Sequence, residues 1–367
     1  MLEMIYVTRH GFRSNWLVDP SNGSYTPYLR SPTGVGADPA LTAHGVDQAN
    51  ELAVRLLELD PPIERVYSSL YYRCLQTVEP FVRKTQEVVE EQKEETAASS
   101  SPGSSSSSTT VSAAVTTSGD GGGAPCGSGG SGSAAARRPP WPLKIRGETG
   151  LGEWYGSANF DHPVPAPLEK LDELFPGLLE LDYRPAVTPN RKGESIEELH
   201  ERVAAALEAL IAECDRDGVR AVLLCSHAAV IIALGRVLTG HMPDSYDVED
   251  FKCFTCGLSA YRRRRRESGS GSADGTNVAQ GRRDGPARDW RGGRGVSGGW
   301  DCELNSDCRH LRLGEERGWK FSGDESFMDV VTGPGLLDVA GARLEEEAEN
   351  KKAEASGEPG ECVRGKL

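Results

Sequence analysis

Five basic side chains follow directly after predicted β-strands, and together they could hold and attack a phosphate group. Arg9, His10 and Arg13 come after the first strand, Arg73 after the second, and His227 after the most apolar one. Guanidinium groups bind phosphate oxygens through paired donors and stay charged. A neutral imidazole can attack phosphorus, giving a phosphohistidine that water later hydrolyses, while the second imidazole and the guanidinium groups stabilise the transition state. Arg13 could instead select a substrate group or pair with an acid.

The departing alkoxide in such a reaction needs a proton. A carboxylic acid supplies it if burial raises its pKa enough to keep it protonated. The best candidate is Glu153, in the run Gly-Leu-Gly-Glu-Trp-Tyr-Gly at 150–156 after the next predicted strand, with Glu148 and Asp161 as alternatives. This chemistry requires no metal ion and no cofactor.

Short apolar runs alternate with helical periodicity along the chain, and this order predicts the elements that position those residues. Strands are predicted at 4–7, 65–67, 143–146 and 219–225, and helices at 42–59, 71–89, 195–215 and 228–238. Such alternation is typical of an α/β fold, a three-layer αβα sandwich with a mostly parallel sheet. Ligands of these sheets bind beyond the carboxyl ends of the strands, where the basic residues lie.

Three tracts have too few apolar residues to offset the chain entropy lost on folding. We expect disorder in the Ser/Gly-rich insertion at 96–140, the Arg/Gly-rich linker at 262–299 and the tail at 329–367. The catalytic domain is then predicted at 1–95 and 141–261. The most apolar stretch contains Arg220, His227 and Arg236, so no membrane span is expected.

The net charge of −14 argues against a general nucleic-acid or membrane binder, so no specific DNA binding is expected. Nine cysteines without a signal-peptide pattern predict reduced thiols in the nucleus or cytoplasm. Cys253, Cys256, Cys302 and Cys308 offer four thiols, but their spacing favours packing over a zinc site. The five consecutive arginines at 262–266 could be an import signal or a solvated charge run.

The segment 300–328 alternates apolar and polar residues around Trp300, Leu304, Trp319 and Phe321, which predicts two or three short strands. So few strands are marginally stable alone. Strand addition to a partner protein would bury the aromatic side chains, and we favour it over folding back onto the catalytic domain.

Several motifs follow one another along the chain. They are Arg9-His10-Gly11, Asp38-Pro39-Ala40-Leu41-Thr42, Ser68-Ser69 with Arg73, Glu153, Gly193-Glu194-Ser195 and Ser226-His227. The histidine phosphatase superfamily, which includes the phosphoglycerate mutases, has such motifs in this order, and the chain resembles that family from about residue 4 to 240. The resemblance implies that His10 is the nucleophile, that Glu153 is the acid, and that Arg9, Arg73 and His227 hold the phosphate. Phe12 and Arg13 after the first motif, and Trp154 after Glu153, depart from the mutases and favour a plain phosphatase.

Further runs resemble a narrower group, the histidine-phosphatase subunits of the fungal RNA polymerase III factor TFIIIC. They are the run from Arg9 to Trp16, 152–155, Phe175-Pro176-Gly177, Thr188-Pro189-Asn190 and 304–321. This resemblance implies a larger TFIIIC subunit as the partner of residues 300–328. We therefore expect a phosphohydrolase of phosphorylated small molecules or phosphoproteins; the alternative is a non-enzymatic subunit that uses the same fold for docking.

Overall fold

The protein is built on a mixed sheet of six strands. The computed structural model describes residues 1–99, 142–265 and 289–321. Its strands are β1 (Met4–Arg9), β2 (Trp16–Asp19), β3 (Ser24–Pro27), β4 (Arg65–Ser68), β5 (Ile145–Gly147), β6 (Ala221–Ser226), β7 (Leu258–Arg263) and β8 (Trp300–Asp307). The sheet order is β5-β4-β6-β1-β7-β8, while β2 and β3 form a separate hairpin. Strands β5, β4, β6 and β1 run parallel, so their carboxyl ends share one edge.

Helices cover both faces of this sheet. They are α1 (Ala43–Leu57), α2 (Tyr72–Ser99), α3 (Leu168–Leu174), α4 (Ile196–Asp217) and α5 (Ala228–Thr239). Successive residues of β1 point to opposite faces. Ile5 and Val7 pack with α4 and α5, whereas Met4 and Tyr6 pack with α1, α2 and α3. The predicted three-layer αβα sandwich is therefore confirmed.

Helix α4 shows why the local sequence specifies these elements. The Ser195 side chain caps the amide of Glu198, and the Glu198 carboxylate accepts from the amide of Ser195. Together they satisfy donors that the first turn of a helix leaves unpaired. The helix ends at Gly218, whose φ of 74° is in the left-handed region that favours glycine.

The structure corrects our prediction for the segment after residue 261. Arg262 and Arg263 belong to β7, and β8 pairs antiparallel with β7 as the outer strand of the sheet. Trp290, Trp300 and Phe321 are buried in the same core as α4 and α5. Residues 262–265 and 289–321 are therefore neither a disordered linker nor a separate appendage, because the free edge of β7 and this core accommodate them. Partner binding by 300–328 stays a prediction. Within 300–321 the structure contains one strand, not two or three.

The remaining predicted boundaries are tested only in part. Helix α2 continues to Ser99, so the insertion begins later than residue 96. Residues 100–141, 266–288 and 322–367, which hold most of the predicted disorder, lie outside the described residues. Among the described helices, none is both long enough and apolar enough to span a bilayer.

Candidate active site

The carboxyl ends of the parallel strands bring the predicted site residues together. The amide of His10 donates to the Ser226 carbonyl at 3.0 Å, and the amide of Ser69 donates to the Cys225 carbonyl at 3.0 Å. The loop that carries Glu153 is fixed by the Ser226 hydroxyl, which donates to the Leu151 carbonyl at 2.7 Å. Backbone contacts between neighbouring strand ends thus connect the loops that carry His10, Glu153 and His227.

His10 has the protonation state that a nucleophile needs. Its ring is 1% exposed, and Nδ1 lies 2.8 Å from the Gly11 carbonyl, an acceptor that fixes the proton on Nδ1. Nε2 is then the free, unprotonated nitrogen. Burial lowers the pKa of His10 well below 6.5, and the charges of Arg73 and Arg9 lower it further. His10 is therefore neutral at physiological pH.

Arg73 is the centre of the site. It is fully buried, and its Nη1 donates to the Asp38 carboxylate at 3.1 Å and to the Ala37 carbonyl at 3.0 Å. Its Nη2 donates to Glu153 Oε2 at 3.0 Å and lies 3.2 Å from Nδ1 of His227. Asp38 thus orients a guanidinium group that reaches both Glu153 and His227.

Arg9 and Arg13 add two more cations, of which Arg9 is buried and Arg13 is half-buried. Nη1 of Arg9 donates to the carbonyls of Cys253, at 2.7 Å, and Arg317. The Arg13 guanidinium stacks 3.9 Å above the Trp16 ring. Burial and the nearby charge of Arg73 lower the pKa of Arg13 to about 9, which reflects the crowding of positive charge.

These guanidinium groups retain unused donors. The buried Nε atoms of Arg9, Arg13 and Arg73 have no hydrogen-bond partner among the described residues. An unpaired buried donor costs free energy, and more so when it is charged. Three such donors around a neutral imidazole are typical of a site that receives a multivalent oxyanion.

His227 is the second histidine of the site. Its ring centre lies 5.4 Å from that of His10, and its Nε2 lies 2.8 Å from the Ser69 hydroxyl. Burial lowers the pKa of His227, but the neighbouring Cys74 and Glu153 raise it by more, so the net shift is above 6.5. His227 can therefore carry a proton and a positive charge toward a bound anion.

Glu153 lies beside both His227 and Arg73, but its charge state differs from our prediction. Burial alone would raise the pKa of Glu153, as expected from the sequence. The positive charges of His227, Arg73 and Arg13 outweigh burial and hold that pKa far below 4.5. In the ligand-free site Glu153 is therefore a carboxylate, and its Oε2 occupies donors that an oxyanion would use.

The two alternative acids serve other purposes. Glu148 is fully buried and accepts hydrogen bonds from the amides of Gly150 and Ala186 and from the Tyr183 hydroxyl. Asp161 is paired with Arg191 and Lys192 at the surface. Of the three acids, Glu153 has the contacts to His227 and Arg73.

Three side chains of the site have atoms that could bind a metal ion, and these atoms lie within 4.8 Å of one another. The side chains are those of His10, Glu153 and His227. They are the one such group among the described residues, so Cys253, Cys256, Cys302 and Cys308 do not gather as a zinc site there. The guanidinium groups of Arg9, Arg13 and Arg73 surround the trio. Their charge favours an anion over a metal cation at this position.

The C-terminal segment 308–321 contributes a second set of residues that positions this site. The sequence analysis did not identify this set. The Glu316 carboxylate accepts from His44 at 2.5 Å and from the Gln48 amide at 2.6 Å. The Gln48 side-chain oxygen in turn accepts from the amide of Phe12 at 2.9 Å, two residues after His10. Arg317 contributes a carbonyl to Arg9, and its guanidinium stacks 4.0 Å from the Phe12 ring. The alternating pattern of 300–321 gave no signal of these contacts.

A comparison with protein families is consistent with this geometry. Residues 5–96 and 144–269, more than half of the chain, match the family model described as the histidine phosphatase superfamily (branch 1). In the curated collection, the 55 kDa subunit of transcription factor tau from Saccharomyces cerevisiae is 27% identical over 328 residues. That match covers 88% of this chain, and the chain spans 59% of the length of that relative.

Solved structures with low sequence identity are also similar. The ecdysone phosphate phosphatase of Bombix mori is 18% identical, with 74% of this chain and 98% of that chain covered and a TM-score of 0.41. The alpha-ribazole phosphatase of Shigella flexneri is 16% identical. The match covers 71% of this chain and 91% of that chain, and its TM-score is 0.35.

The contacts of Glu316 generate a prediction. Replacing Glu316 with Ala removes the acceptor of Gln48 and His44, which frees the loop after His10, so we expect sulfate affinity to fall about tenfold. Sulfate binding is measured by calorimetry. Glu315→Ala is the matched control, because Glu315 contacts Lys252 at 3.9 Å and not the loop. Equal losses in the two variants would show that the contact with Gln48 does not position the site.

Proposed function

The chain belongs to the histidine phosphatase superfamily (branch 1), and from this premise we propose that it hydrolyses phosphate monoesters through a phosphohistidine at His10. The observation that carries the proposal is the set of unpaired Nε donors of Arg9, Arg13 and Arg73 around a neutral imidazole. A phosphate dianion would accept from these donors and place phosphorus next to His10 Nε2. The guanidinium groups of Arg9 and Arg73 are held in place by hydrogen bonds to carbonyls and carboxylates, so little reorganisation would accompany the reaction.

The first chemical step forms a bond from His10 Nε2 to phosphorus and breaks the bond from phosphorus to the ester oxygen. His227 and the arginines stabilise the charge on the other phosphate oxygens. The departing oxygen takes a proton from Glu153 and leaves as an alcohol. In the second step a water molecule attacks the phosphohistidine, gives a proton to the Glu153 carboxylate, and releases phosphate and free His10.

Glu153 must be protonated for the first step, although it is ionised in the ligand-free site. A phosphate dianion displaces its carboxylate from Arg73 and brings two negative charges close to it. Both changes favour the neutral form and raise the pKa of Glu153. Substrate binding therefore creates the acid, in contrast to our prediction that burial alone keeps it protonated.

The test of hydrolysis is the rate on a chromogenic aryl phosphate. His10→Ala removes the nucleophile, so we expect kcat/KM to fall by at least about 1,000-fold. His241→Ala, which changes an exposed histidine on the loop after α5, is the control and should keep the rate of the unchanged protein. If the protein and its His10→Ala variant hydrolyse the ester equally fast, the protein is not an enzyme of this kind.

The charge switch of Glu153 predicts a pH dependence of anion binding. Because the Glu153 pKa is below 4.5 when free and rises when sulfate binds, binding takes up a proton. Affinity for sulfate then falls about tenfold per pH unit between the free and the bound pKa. Calorimetry in two buffers of different ionisation enthalpy at mildly acidic pH counts the protons. Glu153→Gln should take up about one proton fewer, whereas an equal count would contradict the switch.

We also propose that the protein is a subunit of a transcription factor of the tau type, TFIIIC, and acts in the nucleus. The observation that favours this is the match to the yeast 55 kDa tau subunit over 88% of this chain. The aromatic residues Trp300 and Phe321 no longer argue for a partner, because the protein's own core buries them. The alternative is a subunit without enzymatic activity, in which the phosphatase fold serves only as a docking module for other subunits.

Affinity purification of the tagged full chain, followed by mass spectrometry, tests this assembly. We expect the other subunits of the transcription factor to co-purify. We also expect His10→Ala to retain them, because that change removes a buried nucleophile and no surface. Absence of these subunits from both purifications would contradict the proposal, and their loss from the His10→Ala sample alone would tie assembly to the catalytic site.

A further inference from the structure

A cavity of about 320 Å³ opens beside the phosphate site and has no role in the steps above. It lies between the segment 162–166 and the segment 188–194, and we call it the side cavity. Glu153 and Tyr71 are among its lining residues. Glu153 also contacts Arg73 and His227, so this residue borders both the side cavity and the proposed phosphate donors.

The lining of the side cavity is largely apolar. Leu70, Val164, Ala166 and Pro189 contribute aliphatic surface. Tyr71 and Tyr155 contribute aromatic surface, and their hydroxyls are already paired: Tyr155 donates to Tyr71 at 3.0 Å, and Tyr71 donates to the Pro163 carbonyl at 2.7 Å.

The charged side chains and the histidine of the side cavity contact other residues. Arg191 pairs with Asp161 at 3.0 Å, and Glu194 pairs with Arg202 at 2.8 Å. His162 lies 2.9 Å from the Tyr25 hydroxyl and 3.0 Å from the Gly156 carbonyl. Burial lowers the pKa of His162, so it is neutral. Apart from the exposed Arg191, which uses its Nε to pair with Asp161, the side cavity therefore offers no cation to a second anionic group.

We propose that the side cavity binds the leaving alcohol of the substrate and selects small, uncharged, apolar alcohols. This inference rests on the phosphohydrolase function proposed above. Glu153 protonates the leaving oxygen, so the rest of that alcohol must lie on the side of Glu153 away from His10. The side cavity occupies that place, and its volume is at the lower end of the range for ligand pockets, which suits a single ring or a short branched chain.

A pair of aryl phosphates of similar size tests this selection on the full-length protein. We expect kcat/KM for 4-ethylphenyl phosphate to exceed that for 4-carboxyphenyl phosphate by about 100-fold, because the carboxylate would be buried without a partner. If both esters are hydrolysed at equal rates, the selection is overturned and the phosphohydrolase function stands. If neither is hydrolysed faster than by His10→Ala, the phosphohydrolase function fails and this inference fails with it.

A variant at the mouth of the side cavity locates the selection. Val164 is 48% exposed, so a Lys there can reach a carboxylate without disturbing the core. We expect Val164→Lys to reduce the preference for the ethyl ester about tenfold, mainly by a gain in kcat/KM for the carboxylate ester. Val54→Lys, at a 50% exposed position of α1, is the matched control and should leave the preference unchanged. An unchanged preference in Val164→Lys would overturn the assignment of the side cavity.

Discussion

The site depends on several positive charges held out of water next to one another. Arg9 and Arg73 are buried beside His10 and His227, with Glu153 as the carboxylate between Arg73 and His227. Burying charges is unfavourable unless each is paired and hydrogen-bonded. Backbone carbonyls and carboxylates satisfy some of the guanidinium donors, and the Nε atoms of Arg9 and Arg73 stay unpaired among the described residues. In the proposed function an incoming dianion would complete the pairing, so a site of this composition would favour phosphate over a neutral ligand.

This constraint extends well beyond the motifs that carry the chemistry. Arg9 Nη1 is held by the carbonyls of Cys253 and Arg317, so residues on both sides of the 266–288 segment must be in place. Strands β7 and β8 bring them there by extending the sheet beyond β1. Glu316 then holds Gln48, which holds the loop after His10. The C-terminal segment 308–321 is therefore part of the domain that holds the candidate site.

The sequence was sufficient to predict the parts of the structure that depend on local periodicity. Helix α4 has an apolar stripe and a capping box, and β6 is an unbroken apolar run, so both were predicted close to their observed bounds. The placement of His10 and His227 followed from the rule that parallel strands carry ligands at their carboxyl ends. The pairing of strand β8 with β7 could not be predicted in this way, because their register depends on two segments separated along the chain. The Gly-rich stretch before Trp300 is held in place because Trp290 and Trp300, at its two ends, are buried in the core, a tertiary effect that composition does not reveal.

The charge of Glu153 could not be predicted for a related reason. A buried carboxyl group alone keeps its proton, and the sequence indicates burial but not which cations lie within contact distance. Here Arg73 at 3.0 Å and His227 at 3.2 Å reverse the sign of the shift. In the mechanism proposed above, the same contacts give Glu153 two successive roles, first as the counter-ion that stabilises the cluster and then as the proton donor. Phosphate binding takes Arg73 and His227 from it, so the loss of the first role produces the second. The acid is thereby formed only when there is a leaving group to protonate.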